Sequence, residues 1–244
     1  MSTAHTHISP AKINLSLDIL GKTASGFHKI QTIFHATTQI HDLVNIRETD
    51  QDDSLSISQA PQKSPIHVLK LLRQHFRITQ NFHIEIKKNI PHSSGLGGTS
   101  SNNATILKAL NQILNLQISQ SDLFALAAQL GMDTPFFILD CQNALGENFG
   151  EQLTPLPDLP LHTLKINPVS SPLTNKTAEN YSKLDLTLCA LKTAKTDLLL
   201  RALQNGDLLQ IIANLHNDFE QLYPDLPKNH HLSGSGPSEF ILTP

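Results

Sequence analysis

Three stretches of this sequence predict a mixed α/β (α+β) fold. From Ser9 to Leu20, the apolar residues Ile13, Leu15, Leu17 and Ile19 alternate with Lys12, Asn14, Ser16 and Asp18, the period-two pattern of a strand with one apolar face. Phe82, Ile84 and Ile86 repeat the alternation around His83 and Glu85. Ile106, Leu107, Leu110, Ile113 and Leu114 then recur at helical spacing, so a helix starts near Thr99 or Ser100. Between that second strand and the helix lies Pro91–Ala104, PHSSGLGGTSSNNA, in which three glycines stand among five hydroxyl side chains.

The remaining elements follow in order. Gly21 to Gly26 read as a turn between strands, and Phe34 to Ile46 as further strand. Residues 48–65 are polar and contain Pro61 and Pro65, which gives a short strand and a loop before a helix carrying Val68, Leu69, Leu72 and Phe76. A later helix is well punctuated, with Ser119 as N-cap, Asp122 at the third position, Leu123, Leu126, Ala127 and Leu130 inside, and Gly131 as its stop. Pro135 disfavours helix at Thr134, which puts Asp133 at a helix-to-strand corner. Leu161, Leu164 and Ile166 form a strand, and Pro168 and Pro172 mark the loop after it. Thr196 starts a helix that Gly206 ends, and Asp207 starts another that carries Leu208, Ile211, Ile212, Leu215 and Phe219.

Composition narrows the function classes. The 244 residues allow one large domain or two modest ones, and an apolar share of 39% with 16% charged residues fits a globular protein. A net charge of −3 without a basic block gives no electrostatic basis for binding nucleic acid or an anionic membrane. No apolar run approaches the roughly 20 residues of a membrane helix, and MSTAHTHISPAK lacks the build of a signal peptide. Cys141 and Cys189 have no metal or redox spacing, so a cytoplasmic protein with reduced thiols is expected. The 13 histidines are scattered and form no H-E-x-x-H, so no structural metal is expected.

A strand, a glycine loop and a helix start together make an anion site. Glycines let backbone N–H groups approach oxygens, and the first helical turn adds unpaired donors and a positive dipole end. A Walker loop is excluded, because no lysine stands between Lys88 and Lys108. The dinucleotide fingerprint is excluded because Ser100 stands where its third glycine belongs. The stretch resembles instead the P-x-x-x-GLGGGSS phosphate loop of the GHMP kinases, in the position of Pro91, the glycine spacing and the paired serines. Other segments carry the same resemblance in the same order: PAKINL at Pro10, SGFH at Ser25, GMDTPFF at Gly131, ALGENFGEQLTPL at Ala144, TAENY at Thr177 and LSGSGPSEF at Leu232.

The resemblance implies a two-domain GHMP kinase fold. Residues 1–155 would form the N-terminal ATP-binding domain and 156–244 a C-terminal substrate domain shorter than usual. It implies that Pro91, Ser94, Gly95, Leu96, Gly97, Gly98, Thr99, Ser100 and Ser101 hold ATP, with Mg2+ near Ser100 or Ser101 and no other metal ligand from the protein. Lys12 and Asp133 take the catalytic positions. Asn14, Phe27, His28, Thr177 and Tyr181 take substrate positions, with Phe27 and Tyr181 covering the two faces of a cytosine and His28 at its edge. Ser233, Gly234, Ser235 and Gly236 form a glycine loop that braces the active site. SGFH and TAENY narrow the acceptor to a small molecule, a cytidine diphosphate-linked methylerythritol of non-mevalonate isoprenoid biosynthesis. A monomer or weak homodimer is expected.

Four positions depart from the pattern: Ser25 for aspartate, Phe27 for tyrosine, Thr99 for glycine and Asn103 for alanine. Phe27 keeps a stacking face. Thr99 is β-branched and does not take positive φ cheaply, so it is either helical already or weakens nucleotide binding. The alternatives are another GHMP small-alcohol kinase, of homoserine or mevalonate type, and a catalytically impaired relative that binds nucleotide.

Overall fold

The computed structural model of the chain describes residues 4–58, 65–139, 141–159, 162–173 and 175–244. They divide into two compact units, the first made of Met1–Ala11, Thr38–Ile90 and Gly98–Leu139, the second of Lys12–Thr37, Pro91–Gly97 and Asp140–Pro244. The long strands β1 (His5–Lys22) and β2 (His28–Thr49) run through both. Among the described residues, no helix is long and apolar enough to cross a membrane.

In the first unit, β2 pairs antiparallel with β4 (Asn81–Lys87) from Leu43↔Lys87 to Thr49↔Asn81, and the short β3 (Ser54–Ile57) lies parallel to β4. Among the described residues, this unit holds the helices α1 (Pro65–His75), α2 (Gly98–Ile113) and α3 (Gln120–Leu130). The alternation read from the sequence becomes a buried sheet face of Val44, Ile46, Phe82, Ile84 and Ile86. The helical spacings likewise bury Val68, Leu69 and Leu72 of α1, Ile106, Leu107 and Leu110 of α2, and Leu123 and Leu126 of α3. Ser119 caps α3 by accepting from the Asp122 N–H at 3.2 Å, and Gly131 ends it at φ 152°.

After Gly131 the chain departs from expectation. It does not enter a strand: Thr134 is helical (φ −62°, ψ −40°) and Pro135 opens a 3-10 turn over Pro135–Ile138. Proline fits the first position of such a turn because the N–H it lacks would have no partner there.

In the second unit, β2 pairs antiparallel with β5 (Asn143–Glu147), which forms a glycine-bearing hairpin with β6 (Gln152–Leu156). A separate sheet holds β7 (Leu164–Asn167), with β9 (His231–Leu232) and β10 (Glu239–Leu242), in the order β7-β10-β9. Leu161, expected in that first strand, lies outside the described residues. The helices are α4 (Lys176–Lys183), α5 (Thr193–Asn205) and α6 (Leu208–Asn214). A core of Leu17, Ile19, Ile30, Cys189, Phe219 and Leu232 is lined by Tyr181 and Tyr223.

Two helix readings are corrected here. α5 starts at Thr193, because the Thr196 hydroxyl is spent inside, donating to the buried Asp18 carboxylate at 2.6 Å beside His216. The helix from Asp207 stops at Asn214, because the chain then extends as β8 (His216–Asn217) to pair parallel with β1 at Ser16↔His216 and Leu17↔Asn217. Phe219 is buried, yet from a 3-10 turn over Asp218–Leu222 rather than from the helix.

Candidate active site

Lys12 and Asn14 share a face of β1 by strand alternation, and that face is buried rather than solvated, with 3% and 2% of each residue exposed. The Lys12 ammonium donates to Asn14 Oδ1 at 2.7 Å and lies 5.6 Å from the Phe34 ring centroid. Asn14 is fixed in turn: its Nδ2 donates to Thr32 Oγ1 at 2.8 Å, and its Oδ1 also accepts from the Gly234 N–H at 2.8 Å. The Lys12 backbone N–H donates to the Leu96 carbonyl at 3.0 Å. The Ser233 hydroxyl reaches the Lys12 and Gly95 carbonyls at 3.2 and 3.0 Å. One strand and two loops therefore hold one ammonium group.

The glycines explain how the loops come so close. Ser93, Gly95 and Gly97 have φ values of 50°, 87° and 72°, the left-handed region that favours glycine. A Cβ on Gly95 would collide with the Ser233 carbonyl and sit 2.8 Å from that of Gly236. A Cβ on Gly234 would lie 3.0 Å from the Gly95 carbonyl and 3.2 Å from Lys12 Nζ. Asn217 supports the second loop, its Nδ2 donating to the Leu232 and Gly234 carbonyls at 2.9 and 2.8 Å. Nothing local in the sequence around Asn217 signals this bracing role.

In the first unit, α2 opens at Gly98. Thr99 is helical and exposed, so the β-branched residue meets no positive-φ penalty. Ser100 is partly exposed, while the Ser101 hydroxyl is buried and accepts from Ser9 Oγ at 2.8 Å. The turn closed by the Thr134 N–H on the Gly131 carbonyl, at 3.0 Å, carries Asp133, half-buried. A Cβ on Gly131 would stand 3.1 Å from Thr134 Oγ1 and 3.5 Å from Ser100 Oγ, so the Asp133 turn lies beside the first turn of α2. The Thr134 hydroxyl there is buried without a protein partner. A partly open helix N-terminus with a free hydroxyl beside it fits a phosphate-bearing ligand.

The aromatic residues expected around a base form two pairs instead of one facing pair. His28 stacks on Tyr181, with centroids 4.6 Å apart and planes at 15°. Phe27, 56% exposed, tilts against Phe149 at 5.7 Å. His28 thus lies over a ring face in this structure. Burial, then the charge of Lys22, holds its imidazole below the ordinary histidine value. Thr177 accepts from the Ser235 hydroxyl at 3.4 Å. Beside it are two residues that sequence reading passed over. Lys176 donates to the Gly236 carbonyl, and Asn180 Nδ2 donates to the Ser235 carbonyl at 2.8 Å. Their spacing of four along a helix was the only signal available.

The family model for the GHMP kinases N terminal domain matches residues 63–140, which contain the glycine loop, α2 and Asp133. With the Lys12–Asn14 pair and the braced second loop, this defines a kinase of the GHMP class. The similarity extends over nearly the whole chain. A 4-diphosphocytidyl-2-C-methyl-D-erythritol kinase of Caldicellulosiruptor saccharolyticus is 33% identical over 94% of this chain and 85% of its own. One of the same name from Clostridioides difficile is 34% identical over 96% and 85%. The crystal structure of a 4-(cytidine 5'-diphospho)-2C-methyl-D-erythritol kinase superposes with a TM-score of 0.73 at 25% identity, covering 98% of this chain and 90% of that one. A homoserine kinase from Cytophaga hutchinsonii, TM-score 0.70 at 20% identity over 98% and 85%, shares the fold. The chain belongs to the 4-diphosphocytidyl-2-C-methyl-D-erythritol kinase family.

Proposed function

We propose that this protein transfers the terminal phosphoryl group of ATP to the 2-hydroxyl of 4-diphosphocytidyl-2-C-methyl-D-erythritol, in non-mevalonate isoprenoid precursor biosynthesis. The observation that carries this reading is kinship at 33% identity over 94% of the chain with proteins of that activity by name. The buried Lys12, held in place by a neutral amide, gives it a chemical basis. Residues 1–155 would handle the nucleotide and 156–244 contribute to the substrate side, with cytoplasmic ATP as the donor.

The acceptor oxygen bonds to the γ-phosphorus as the bond from that phosphorus to the β–γ bridging oxygen breaks, releasing ADP. Asp133 takes the hydroxyl proton, a role worth about 10²- to 10⁴-fold when well placed. Lys12 offsets the negative charge on the transferring oxygens. The loop Pro91–Gly97 and the first turn of α2, from Gly98 to Ser101, orient the ATP phosphates through backbone N–H groups. Mg2+, when bound with the nucleotide, neutralises phosphate charge. The partly exposed Ser100 hydroxyl is the one assigned to it, since that of Ser101 is engaged with Ser9. Asn14, Thr177, Tyr181, Phe27 and His28 are assigned to the acceptor, the last three to its base.

The test is ATP consumption with the cytidylyl alcohol, homoserine and mevalonate offered separately. Turnover is expected with the first alone, inhibited by CDP. Turnover with homoserine or mevalonate instead would overturn the acceptor. ATP binding without turnover of any of the three would leave a nucleotide-binding protein only.

A further inference from the structure

Lys176 is 4% exposed, and its ammonium group donates to the Gly236 carbonyl. That carbonyl belongs to the loop whose Gly234 packs against Lys12 Nζ. Two buried ammonium groups thus meet the same five-residue loop, one from β1 and one from α4. Removing an ammonium ion from water is expensive without an opposite charge, and a second cation nearby raises the cost. If bracing the loop were the whole task, a neutral donor would serve, as Asn180 does one helical turn on, donating to the Ser235 carbonyl at 2.8 Å. The strain registers in the amine itself. Burial, and then the charge of Lys12, lower Lys176 from the ordinary lysine value of 10.5 to about 8. A buried cation perturbed in this way, with a second cation at the same loop, is a candidate for binding an anion.

We propose that Lys176 is an anion-binding residue that joins Lys12 across the Ser233–Pro237 loop to grip the diphosphate of a nucleoside diphosphate-linked acceptor. The inference deepens the function proposed above and rests on it. The acceptor's diphosphate is favoured over the ATP phosphates by what else α4 carries. Thr177 faces the same loop through Ser235, and Tyr181, about 7.5 Å from Lys176 along the axis, stacks on His28. One helix therefore presents a cation to phosphate and, roughly a ribose length away, a ring to a base.

Calorimetric titration with CDP, cytidine and ATP separates the readings. In the wild type at pH 8, CDP binding should take up as much as about half a proton per ligand, read from the heats in two buffers of different ionisation enthalpy, because an anion restores the amine's proton. Lys176→Met should weaken CDP about tenfold to a hundredfold, abolish the proton uptake, and leave cytidine and ATP affinities unchanged. Unaltered CDP affinity in the variant, or no proton uptake in the wild type, would overturn the assignment while the kinase reading stands. A loss confined to ATP would move Lys176 to the donor phosphates and also overturn it. No CDP binding by the wild type would overturn both readings. The proton measurement needs no variant, so a folding defect in Lys176→Met does not remove the test.

Discussion

Lys88 and Lys176 are both withdrawn from water, and the molecule treats them in opposite ways. Lys88, its side chain 7% exposed, is ion-paired with the fully buried Asp42. Asp42 also accepts from the Asn89 and Ile90 N–H groups at 2.8 and 2.9 Å and from Asn102 Nδ2 at 3.1 Å. The charge of Lys88 is cancelled where it stands, and the cluster fixes the exit from β4 and the side of α2. Lys176 donates to a neutral carbonyl, and the charge that acts on it is that of Lys12. A cation whose charge is used up holds the fold together. A cation whose charge is kept belongs to a ligand.

The comparison is tested hardest at Asp133 and Lys12, the residues proposed for catalysis. Asp133→Asn keeps the shape but removes the charge, so kcat should fall about 10²- to 10⁴-fold with ATP binding almost intact. Lys12→Met should also lower kcat. If the two serve the one proposed step, the double variant should lose far less than the product of the single losses. Near wild-type turnover in Asp133→Asn would remove Asp133 from the chemistry.

At Lys88 the consequence should fall on stability instead. Lys88→Met strands a buried carboxylate, at a cost of about 3–5 kcal/mol. The denaturant midpoint should drop, while kcat per folded molecule persists. A midpoint like that of the wild type would erase the contrast between the two lysines.

Lys176→Met should do the reverse and raise the melting temperature at pH 7, with a characteristic pH dependence. Lys176 sits at about 8 when folded against an ordinary 10.5, so across that window the unfolded chain holds a proton that the folded chain has released. Wild-type stability contributed by this group therefore rises with pH from about 8 to 10.5. The advantage of the methionine variant should be largest below that window and shrink through it. An advantage that grows with pH would contradict the assigned cause.

The smallest effect is expected at Phe27, which is 56% exposed. Phe27→Ala should raise KM for the cytidylyl substrate about two- to tenfold and leave the KM for ATP and the melting temperature nearly unchanged. Equal effects on both substrates would take Phe27 out of the base site.

Much of the fold was legible because apolar residues report their own burial. Ile13, Leu15, Phe82 and Ile84 alternate in the sequence and are all fully buried. Short elements were not legible, since their causes lie far away. β8 exists because β1 offers it a parallel edge, and the apolar rhythm from Leu208 to Phe219 ran across it as though one helix continued. Pro135 was read as a helix breaker when its place was the start of a 3-10 turn. In the candidate site, motifs singled out Lys12, Asn14 and the glycines, but they carry no record of side-chain partners. Lys176 stands one residue outside the T-A-x-x-Y match, and only the loop it touches reveals it. Asn217 was hidden likewise: nothing local in the sequence links it to Leu232 and Gly234.

The bond that steadies Asn14 also has a consequence for how the protein is made. Its partner, the Gly234 N–H, lies 220 residues downstream. Loop closure over such a span comes late in folding, and a ribosome adding about 5–20 residues per second needs roughly 10–45 seconds to supply it. For all of that time β1, once it has emerged, has neither its β8 neighbour nor the loop that holds Asn14. The nascent chain thus carries the glycine loop and Asp133 long before Asn14 and Lys12 are held in their final places, and on the proposed reading activity must wait for the segment around Gly234.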